Sequence, residues 1–269
     1  MFGTSTFISL GIMATVGVLL PLSVSIWWIR TRREKISTIL LGALSFLAFA
    51  LVLESTVHTL VALIVPALFE NVVSYTIYGA LMAGLFEETG RFFFFKVLLK
   101  KRTNRETAIS YGIGHGGFEA LIFLTVVGIE YIVYAVMINN GTLASLIATA
   151  AESGADTSAL EQLPVAIASL TGGAAALSCF ERVTAMLFHI ALSIVVFYAV
   201  KRSKVALYLL AILLHALFDV PAALYQKGVI TSLPILESFM FVFAAAVLIA
   251  AYKLLYSKDT KTEELETSA

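Results

Sequence analysis

A single cysteine and a shortage of charged residues limit what this chain can be. Cys179 is the only cysteine among 269 residues, so no disulfide bond can form within the chain. Charged residues make up 13% of the sequence and hydrophobic residues 59%, whereas about a quarter of a soluble domain is charged. The composition therefore excludes an ordinary soluble domain and predicts an integral membrane protein.

Three familiar hydrolase motifs are also missing. The chain has no His-Glu-x-x-His motif, which would place two zinc ligands and a general base on one helix face. It has no Gly-x-Ser-Gly turn to present a serine nucleophile, and no pair of aspartates within its hydrophobic segments. These absences disfavour a zincin-type metalloprotease, a serine hydrolase and an aspartyl intramembrane protease.

Seven hydrophobic segments are long enough to cross a bilayer, which takes about 20 apolar residues in a helix. Their approximate limits are residues 5–29, 36–58, 72–98, 106–136, 174–200, 205–226 and 232–254. We therefore predict about seven membrane-spanning helices.

Two further segments lie outside these spans. Residues 59–71 are apolar but contain Pro66, and we expect a re-entrant or interfacial piece at the outer surface. Residues 142–151 are expected to form a short surface helix in an outer loop. The predicted fold is an all-α polytopic transmembrane helix bundle, with one domain over residues 1–256 and a polar, disordered cytoplasmic tail over residues 257–269.

Lysine and arginine are distributed unevenly between the two sides of the predicted bundle. All but three of the 18 follow the first, third, fifth or seventh span, and these segments share one side of the membrane. Lys227 is the one in an opposite loop, and Arg91 and Arg182 lie within spans. Because cytoplasmic loops carry the excess of basic residues, we predict a multi-pass protein of the cell membrane with its N-terminus outside and its C-terminus in the cytoplasm.

Four of the predicted spans carry clusters of ionisable residues at nearly the same depth, and such residues are costly in hydrocarbon and seldom occur there without a role. They are Glu87, Glu88 and Arg91 in the third span, His115 and Glu119 in the fourth, Arg182 and His189 in the fifth, and His215 and Asp219 in the sixth. Counted along each helix from its cytoplasmic end, these clusters lie roughly 14–17 Å deep, near the midplane. We therefore expect them to meet in one buried polar site. The remaining histidine, His58, falls at the outer end of the second span and is excluded.

The spacing within each span also places the ionisable residues on one side of its helix. Residues four apart share a helix face, and this spacing joins Glu87 to Arg91, His115 to Glu119, and His215 to Asp219. Glycines surround the glutamate pair and His115, and small residues let helices approach closely. Such pairs can also hold helices together without doing any chemistry, and for any single pair this structural interpretation stays open.

The residue types allow hydrolysis of a peptide bond inside the membrane. A glutamate beside a histidine can act as a general base towards water. A second histidine with an aspartate can stabilise the oxyanion or protonate the leaving amine. Three histidines and several carboxylates could instead bind Zn²⁺ and generate a hydroxide. We predict a metal-free site and keep zinc as the alternative cofactor.

Four blocks of the sequence resemble the glutamic-type intramembrane proteases, the superfamily that groups the CAAX-processing and bacteriocin-immunity proteases with PrsW, and within it the YhfC family. The blocks are Glu87-Glu88-Thr89-Gly90-Arg91, Gly112 through Glu119, Glu181-Arg182 through His189, and His215 through Asp219. The resemblance implies an intramembrane endopeptidase built as a multi-helix bundle. Its partners would be the lipid bilayer and a membrane protein or peptide substrate, with no nucleic acid.

The resemblance also implies roles for the first two blocks. Glu87 would be the general base with Glu88 as its neighbour, and Arg91 would orient a carboxylate. His115 would contact the attacking water. PrsW-type members have an apolar residue where His115 stands, so either His115 or Glu119 could be the functional residue of the second block.

In the later blocks, His215 and Asp219 would face the oxyanion or the leaving group, and His189 completes the catalytic set without an assigned role. Two other functions stay open from the residues. Buried acids and histidines also serve proton relays, so a proton-coupled transporter is possible. A catalytically inactive scaffold or immunity-type membrane protein is the third candidate.

Overall fold

The computed structural model describes residues 1–259 of the chain, and these residues form helices without any strand. The helices are α1 (Thr4–Arg32), α2 (Ile36–Ile64), α3 (Ala67–Glu70), α4 (residues 72–98), α5 (Glu106–Asn139), α6 (Thr142–Glu152), α7 (Ser158–Ser169), α8 (Gly172–Lys201), α9 (Val205–Gln226) and α10 (Leu233–Asp259). Four of them contain a stretch of wider π-helical turns, at Phe46–Glu54, Phe94–Leu98, Leu121–Val126 and Tyr252–Tyr256. The predicted all-α membrane bundle is confirmed.

Six helices have the length and hydropathy of a membrane span, one fewer than the sequence predicts. The difference concerns the third predicted span. Residues 72–98 do form one helix, α4, which has a side-chain cap at Asn71. Glu87 and Glu88 lower its mean hydropathy, so it does not qualify on composition alone. The residues that make α4 chemically interesting are thus the ones that weaken its hydrophobic signal.

The segment between the second and third spans differs from the prediction. Residues 59–64 continue α2 instead of forming a separate piece, so α2 ends at Ile64. Pro66 follows this end and precedes the single turn of α3, since proline lacks the N–H that a continuing helix needs. A re-entrant or interfacial position for the remaining residues of this segment stays a prediction.

The outer loop contains two short helices where the sequence predicted one. The predicted helix at residues 142–151 is present as α6. Its neighbour α7 contains Pro164 and packs against the outer part of α5. The sequence predicted a tail over residues 257–269. Residues 257–259 form the last part of α10, and residues 260–269 lie outside the described part of the chain. The single-domain boundary stays a prediction.

Helix α8 lies at the centre of the bundle. Its most apolar window is 78% buried, against 33% or less for the other spans. It packs against α1, α5, α9 and α10. Its C-terminal half buries Phe188, Leu192, Val196 and Tyr198 in the main hydrophobic core. A polar side chain on α8 is therefore held in the interior, where the surrounding helices fix its position.

Glycines allow the helices around α5 to approach closely. A Cβ added at Gly114 would lie 1.9 Å from the carbonyl oxygen of Ile39 on α2. One added at Gly116 would lie 2.8 Å from the Cα of Met186 on α8. Real Cβ atoms do not approach other atoms so closely, so α5 fits between α2 and α8 only with glycine at these positions. His115 lies between the two glycines and is thereby enclosed by both neighbours.

The basic segments lie together at one end of the bundle. A guanidinium nitrogen of Arg102, between α4 and α5, donates to Ser37 Oγ at the start of α2 over 2.8 Å. Lys201, at the end of α8, donates to Asp259 Oδ2 over 2.6 Å. The sequence correctly placed these loops on one side. Which side of the membrane they occupy stays a prediction.

Replacing Gly114 by alanine should destabilise the fold by about 1–3 kcal/mol, because the new methyl group overpacks the contact with α2. Gly11→Ala is the matched control, since its Cβ would meet nothing within 4 Å and alanine favours the helix by up to ~1 kcal/mol. SDS-titration unfolding in detergent micelles, followed by circular dichroism, measures both. Equal stability of the two variants would contradict the close packing.

Candidate active site

The structure brings all eight predicted site residues into one network of contacts. They come from four helices: Glu87, Glu88 and Arg91 from α4, His115 and Glu119 from α5, His189 from α8, and His215 and Asp219 from α9. Each of the eight has at least one other member of the set within 4.0 Å. The four clusters, far apart in the sequence, thus form one polar site inside the bundle.

Glu87 is the centre of this network. Its Oε2 lies 2.8 Å from Nε2 of His115, 3.8 Å from Nδ1 of His189 and 4.0 Å from Nε2 of His215. The rings of His115 and His189 lie 4.8 Å apart, and those of His189 and His215 lie 5.6 Å apart. Three imidazoles from three different helices therefore surround one carboxylate oxygen.

Glu88 is held in a different way from its neighbour. One guanidinium nitrogen of Arg91 donates to both carboxylate oxygens, over 2.7 and 2.8 Å. The other terminal nitrogen of Arg91 lies 3.1 Å from Nδ1 of His189. On the opposite side, Nδ1 of His215 lies 2.7 Å from Glu88 Oε1. Glu88 and Arg91 are fully buried, so this ion pair fixes two of the three histidines.

The contact with Arg91 also decides the tautomer of His189. Arginine can only donate, so Nδ1 of His189 must accept and its proton lies on Nε2. Nε2 of His189 lies 2.7 Å from Oε2 of Glu119. The angle at the N–H is too far from linear for a hydrogen bond, so this carboxylate oxygen has no hydrogen-bond donor. Arg182 donates to the other oxygen of Glu119 over 2.6 Å. His189 therefore lies between an arginine and a carboxylate.

Asp219 lies at the most open edge of the network. Its Oδ2 is 3.6 Å from Nε2 of His215, and its side chain is 30% exposed. His215 therefore faces Glu88 with one ring nitrogen and Asp219 with the other. Since the two acids lie on opposite sides of the ring, a His215 protonated at both nitrogens can donate towards both.

A cavity of about 760 Å³ connects the network to one end of the bundle. Its wall includes Glu87, His189 and His215, and at the far end Tyr75 and Gln226. These last two lie at the start of α4 and the end of α9, opposite to the basic loops. A peptide can therefore reach Glu87 from the side that the sequence predicts to be external.

The cavity distinguishes between the two neighbouring glutamates. Glu87 lines the cavity, whereas Glu88, Arg91 and His115 are fully buried behind the wall. Since adjacent helical residues point in different directions, only one of the pair can face the cavity. Glu87 is thus the carboxylate that a substrate can meet.

Sequence reasoning missed several polar residues in the cavity wall. Arg182 was expected in the buried cluster without a catalytic role, and it binds Glu119 and also Glu181, which was not assigned to the site. Glu54 was not considered, and His58 was excluded. Glu54 and His58 are four residues apart, which is the spacing that indicated the other clusters, so the same spacing could have indicated this pair.

Three residues of the network could also bind a metal ion, judged by residue type and distance: Glu87, His115 and His189. Each offers one donor atom, and the three atoms lie within 4.8 Å of one another. Two histidines and a glutamate are a known zinc ligand set in catalytic sites. The carboxylate of Glu119 behind His189 matches the outer-shell partner that zinc-binding histidines have. The donor set fits an ion, although Arg91 occupies the Nδ1 lone pair of His189.

Comparisons with known proteins point to one family. A family model described as YhfC intramembrane metalloprotease matches residues 16–240. The chain is 34% identical over 250 residues to a protein of Bacillus subtilis (strain 168) described as an uncharacterized membrane protein YhfC. That match covers 91% of this chain and 95% of the relative. No solved structure matches the chain.

Removing the guanidinium of Arg91 should destabilise the fold strongly, because it leaves the buried charge of Glu88 uncompensated. We expect Arg91→Gln to lower the free energy of unfolding by about 3–5 kcal/mol. The matched control is Arg30→Gln, at an exposed position on α1. Adding Glu88→Gln to Arg91→Gln should recover part of the loss, because the two changes are coupled. Strictly additive losses, measured by the same unfolding titration, would contradict the pairing.

Proposed function

The chain belongs to the YhfC intramembrane metalloprotease family, and we propose that it is an endopeptidase. It hydrolyses a peptide bond within or near the membrane, and Glu87 activates the attacking water. The observation that carries this proposal is the position of Glu87. It is the carboxylate that three histidines surround, and it lies in the wall of a cavity open to one end of the bundle.

The proposed reaction begins with a peptide in the cavity and a water molecule beside Glu87. Glu87 takes a proton from the water as its oxygen attacks the scissile carbonyl carbon. The carbonyl oxygen gains negative charge in the tetrahedral intermediate. His215, which faces the cavity with Asp219 beside it, is placed to donate to that oxygen. Transfer of the proton from Glu87 to the amide nitrogen lets the C–N bond break, giving a carboxylic acid and an amine.

The other members of the network position these groups. His115 is fully buried behind Glu87 and forms a hydrogen bond with its Oε2. We therefore propose that His115 orients the base Glu87 and does not contact the attacking water. Arg91 holds Glu88, and Glu88 in turn holds His215. Fixing a general base within hydrogen-bond reach of its substrate is a large part of such catalysis.

A zinc-dependent protease is the second candidate, and the spacing of Glu87, His115 and His189 is the observation that favours it. These three residues would hold the ion. When bound, zinc would polarise the scissile carbonyl as a Lewis acid. The contact of Arg91 with His189 argues against zinc, because the guanidinium lies 3.1 Å from Nδ1, one of the two ring nitrogens that could bind an ion. We therefore place the metal-free mechanism first.

Replacing Glu87 by glutamine should lower peptide cleavage at least about 100-fold, the low end of what a general base contributes. The purified protein is reconstituted in liposomes with a library of transmembrane peptides, and new peptide termini are counted by mass spectrometry. Glu130→Gln, at an exposed position on α5, is the matched control and should keep full activity. Undiminished cleavage by Glu87→Gln would remove the proposal. Proton-driven flux without any cleavage would favour a transporter.

Dialysis against a chelator should leave cleavage unchanged, and the purified protein should contain only substoichiometric zinc. Metal content is measured by plasma mass spectrometry on the same samples that are assayed. Stoichiometric zinc in the wild type, lost in both His115→Ala and His189→Ala but kept in Glu130→Gln, would overturn the metal-free mechanism in favour of the second candidate.

A further inference from the structure

A second polar group lies in the cavity wall, outside the network around Glu87. Nε2 of His58 lies 3.0 Å from Oε1 of Glu54, and Nδ1 of His58 lies 2.9 Å from the hydroxyl of Tyr78. The rings of His58 and Tyr78 also meet edge to face, 5.2 Å apart. Glu54 and His58 come from α2 and Tyr78 comes from α4, and all three line the cavity.

This group lies between the mouth of the cavity and the catalytic site. Tyr78 precedes Glu87 by nine residues on α4, so it lies roughly 13 Å further towards the mouth. Glu54 is one helical turn deeper than His58 on α2 and is 8% exposed. Glu54 therefore lines the part of the cavity between its mouth and Glu87.

The charges of the cavity wall are unequal. Its carboxylates are Glu54, Glu87, Glu119, Glu181 and Asp219. Arg182 is the single lysine or arginine of that wall among residues 1–259, and Glu119 and Glu181 already bind it. At the mouth, Lys227 donates to the carbonyl oxygen of Phe69 over 2.6 Å and lies over the ring of Tyr75. Among residues 1–259, no lysine or arginine of the cavity wall is left for Glu54.

Glu54, like Glu87 and Asp219, is a carboxylate at membrane depth that pairs with histidine and not with lysine or arginine. It differs from those two in lying towards the mouth of the cavity, outside the network around Glu87. Such a group is costly to keep in hydrocarbon. A guanidinium or ammonium group brought by a substrate would give it a charge-assisted hydrogen bond, which is the stronger kind. The open volume beside it provides room for a long basic side chain.

We propose that Glu54 is a substrate-binding residue that accepts the arginine or lysine side chain of a peptide, so that the enzyme selects membrane peptides with a basic residue on the mouth side of the scissile bond. His58 and Tyr78 position the Glu54 carboxylate from the mouth side. The inference rests on the proposed function in one respect, namely that the cavity is where the peptide binds. It adds a substrate class that the catalytic network does not specify.

The test measures binding without needing cleavage. The probes are two N-acetylated, C-amidated tetrapeptides of three leucines and one variable residue, which is arginine in one and its uncharged near-isostere citrulline in the other. Binding to protein in lipid nanodiscs is measured by microscale thermophoresis, with Glu87→Gln as the background so that neither peptide is cleaved. We expect the arginine peptide to bind about tenfold more tightly than the citrulline peptide.

Glu54→Gln in this background should make the two affinities equal, whereas Glu54→Asp should keep part of the preference because it keeps the charge. Glu130→Gln is the matched control and should keep all of it. Size-exclusion profiles show whether each variant is folded. A role for Glu54 that is only structural, tying α2 to α4, would lower stability in Glu54→Gln but leave the ratio of affinities unchanged.

Two results would overturn the inference. One is the lack of an arginine preference when Glu54 is intact, which decides the matter even if Glu54→Gln does not fold. The other is a preference that survives in a folded Glu54→Gln variant. Both results are binding measurements, whereas the proposed function is tested by the loss of cleavage in Glu87→Gln, so the failure of one is distinguishable from the failure of the other.

Discussion

The buried ion pair between Glu88 and Arg91 is the interaction on which the arrangement of the site depends. Both side chains are fully buried, and together they contact His189 and His215 on two other helices. A buried charge left without its partner is strongly destabilising, so the pair holds α4, α8 and α9 in one relative position. Because Glu88 faces inward, its neighbour Glu87 faces the cavity. One of two adjacent acids is thus structural and the other is free to act.

Close packing makes this electrostatic arrangement possible. His115 can reach Glu87 because Gly114 and Gly116 let α2 and α8 approach α5 on either side of it. Larger residues would separate the helices and lengthen the distances on which the network depends. The glycines near the polar residues therefore serve the site and not only the fold. Polar side chains in a membrane interior need this enclosure, because no water is available there to satisfy them.

Much of the fold could be predicted from the sequence because hydropathy and charge placement are local properties. Long apolar runs predicted the spanning helices, and basic residues correctly placed four segments at one end of the bundle. The errors were local as well. The run 59–71 is apolar enough to suggest a separate piece, yet its first residues extend α2 until Pro66. The helix α7 was missed because Pro164 interrupts a short, weakly patterned segment.

By itself, the sequence determined which spans carry acids and histidines, at what depth, and on which helix face, since these follow from helix rise and periodicity. Only the tertiary structure decided how the faces are oriented towards each other. It placed Glu87 and not Glu88 on the cavity, gave Glu88 to Arg91, and brought Glu54 and His58 into the same wall. The physical reason is that a side chain's partners lie on other helices, and helix rotation within the bundle is set by packing between helices that no single segment encodes.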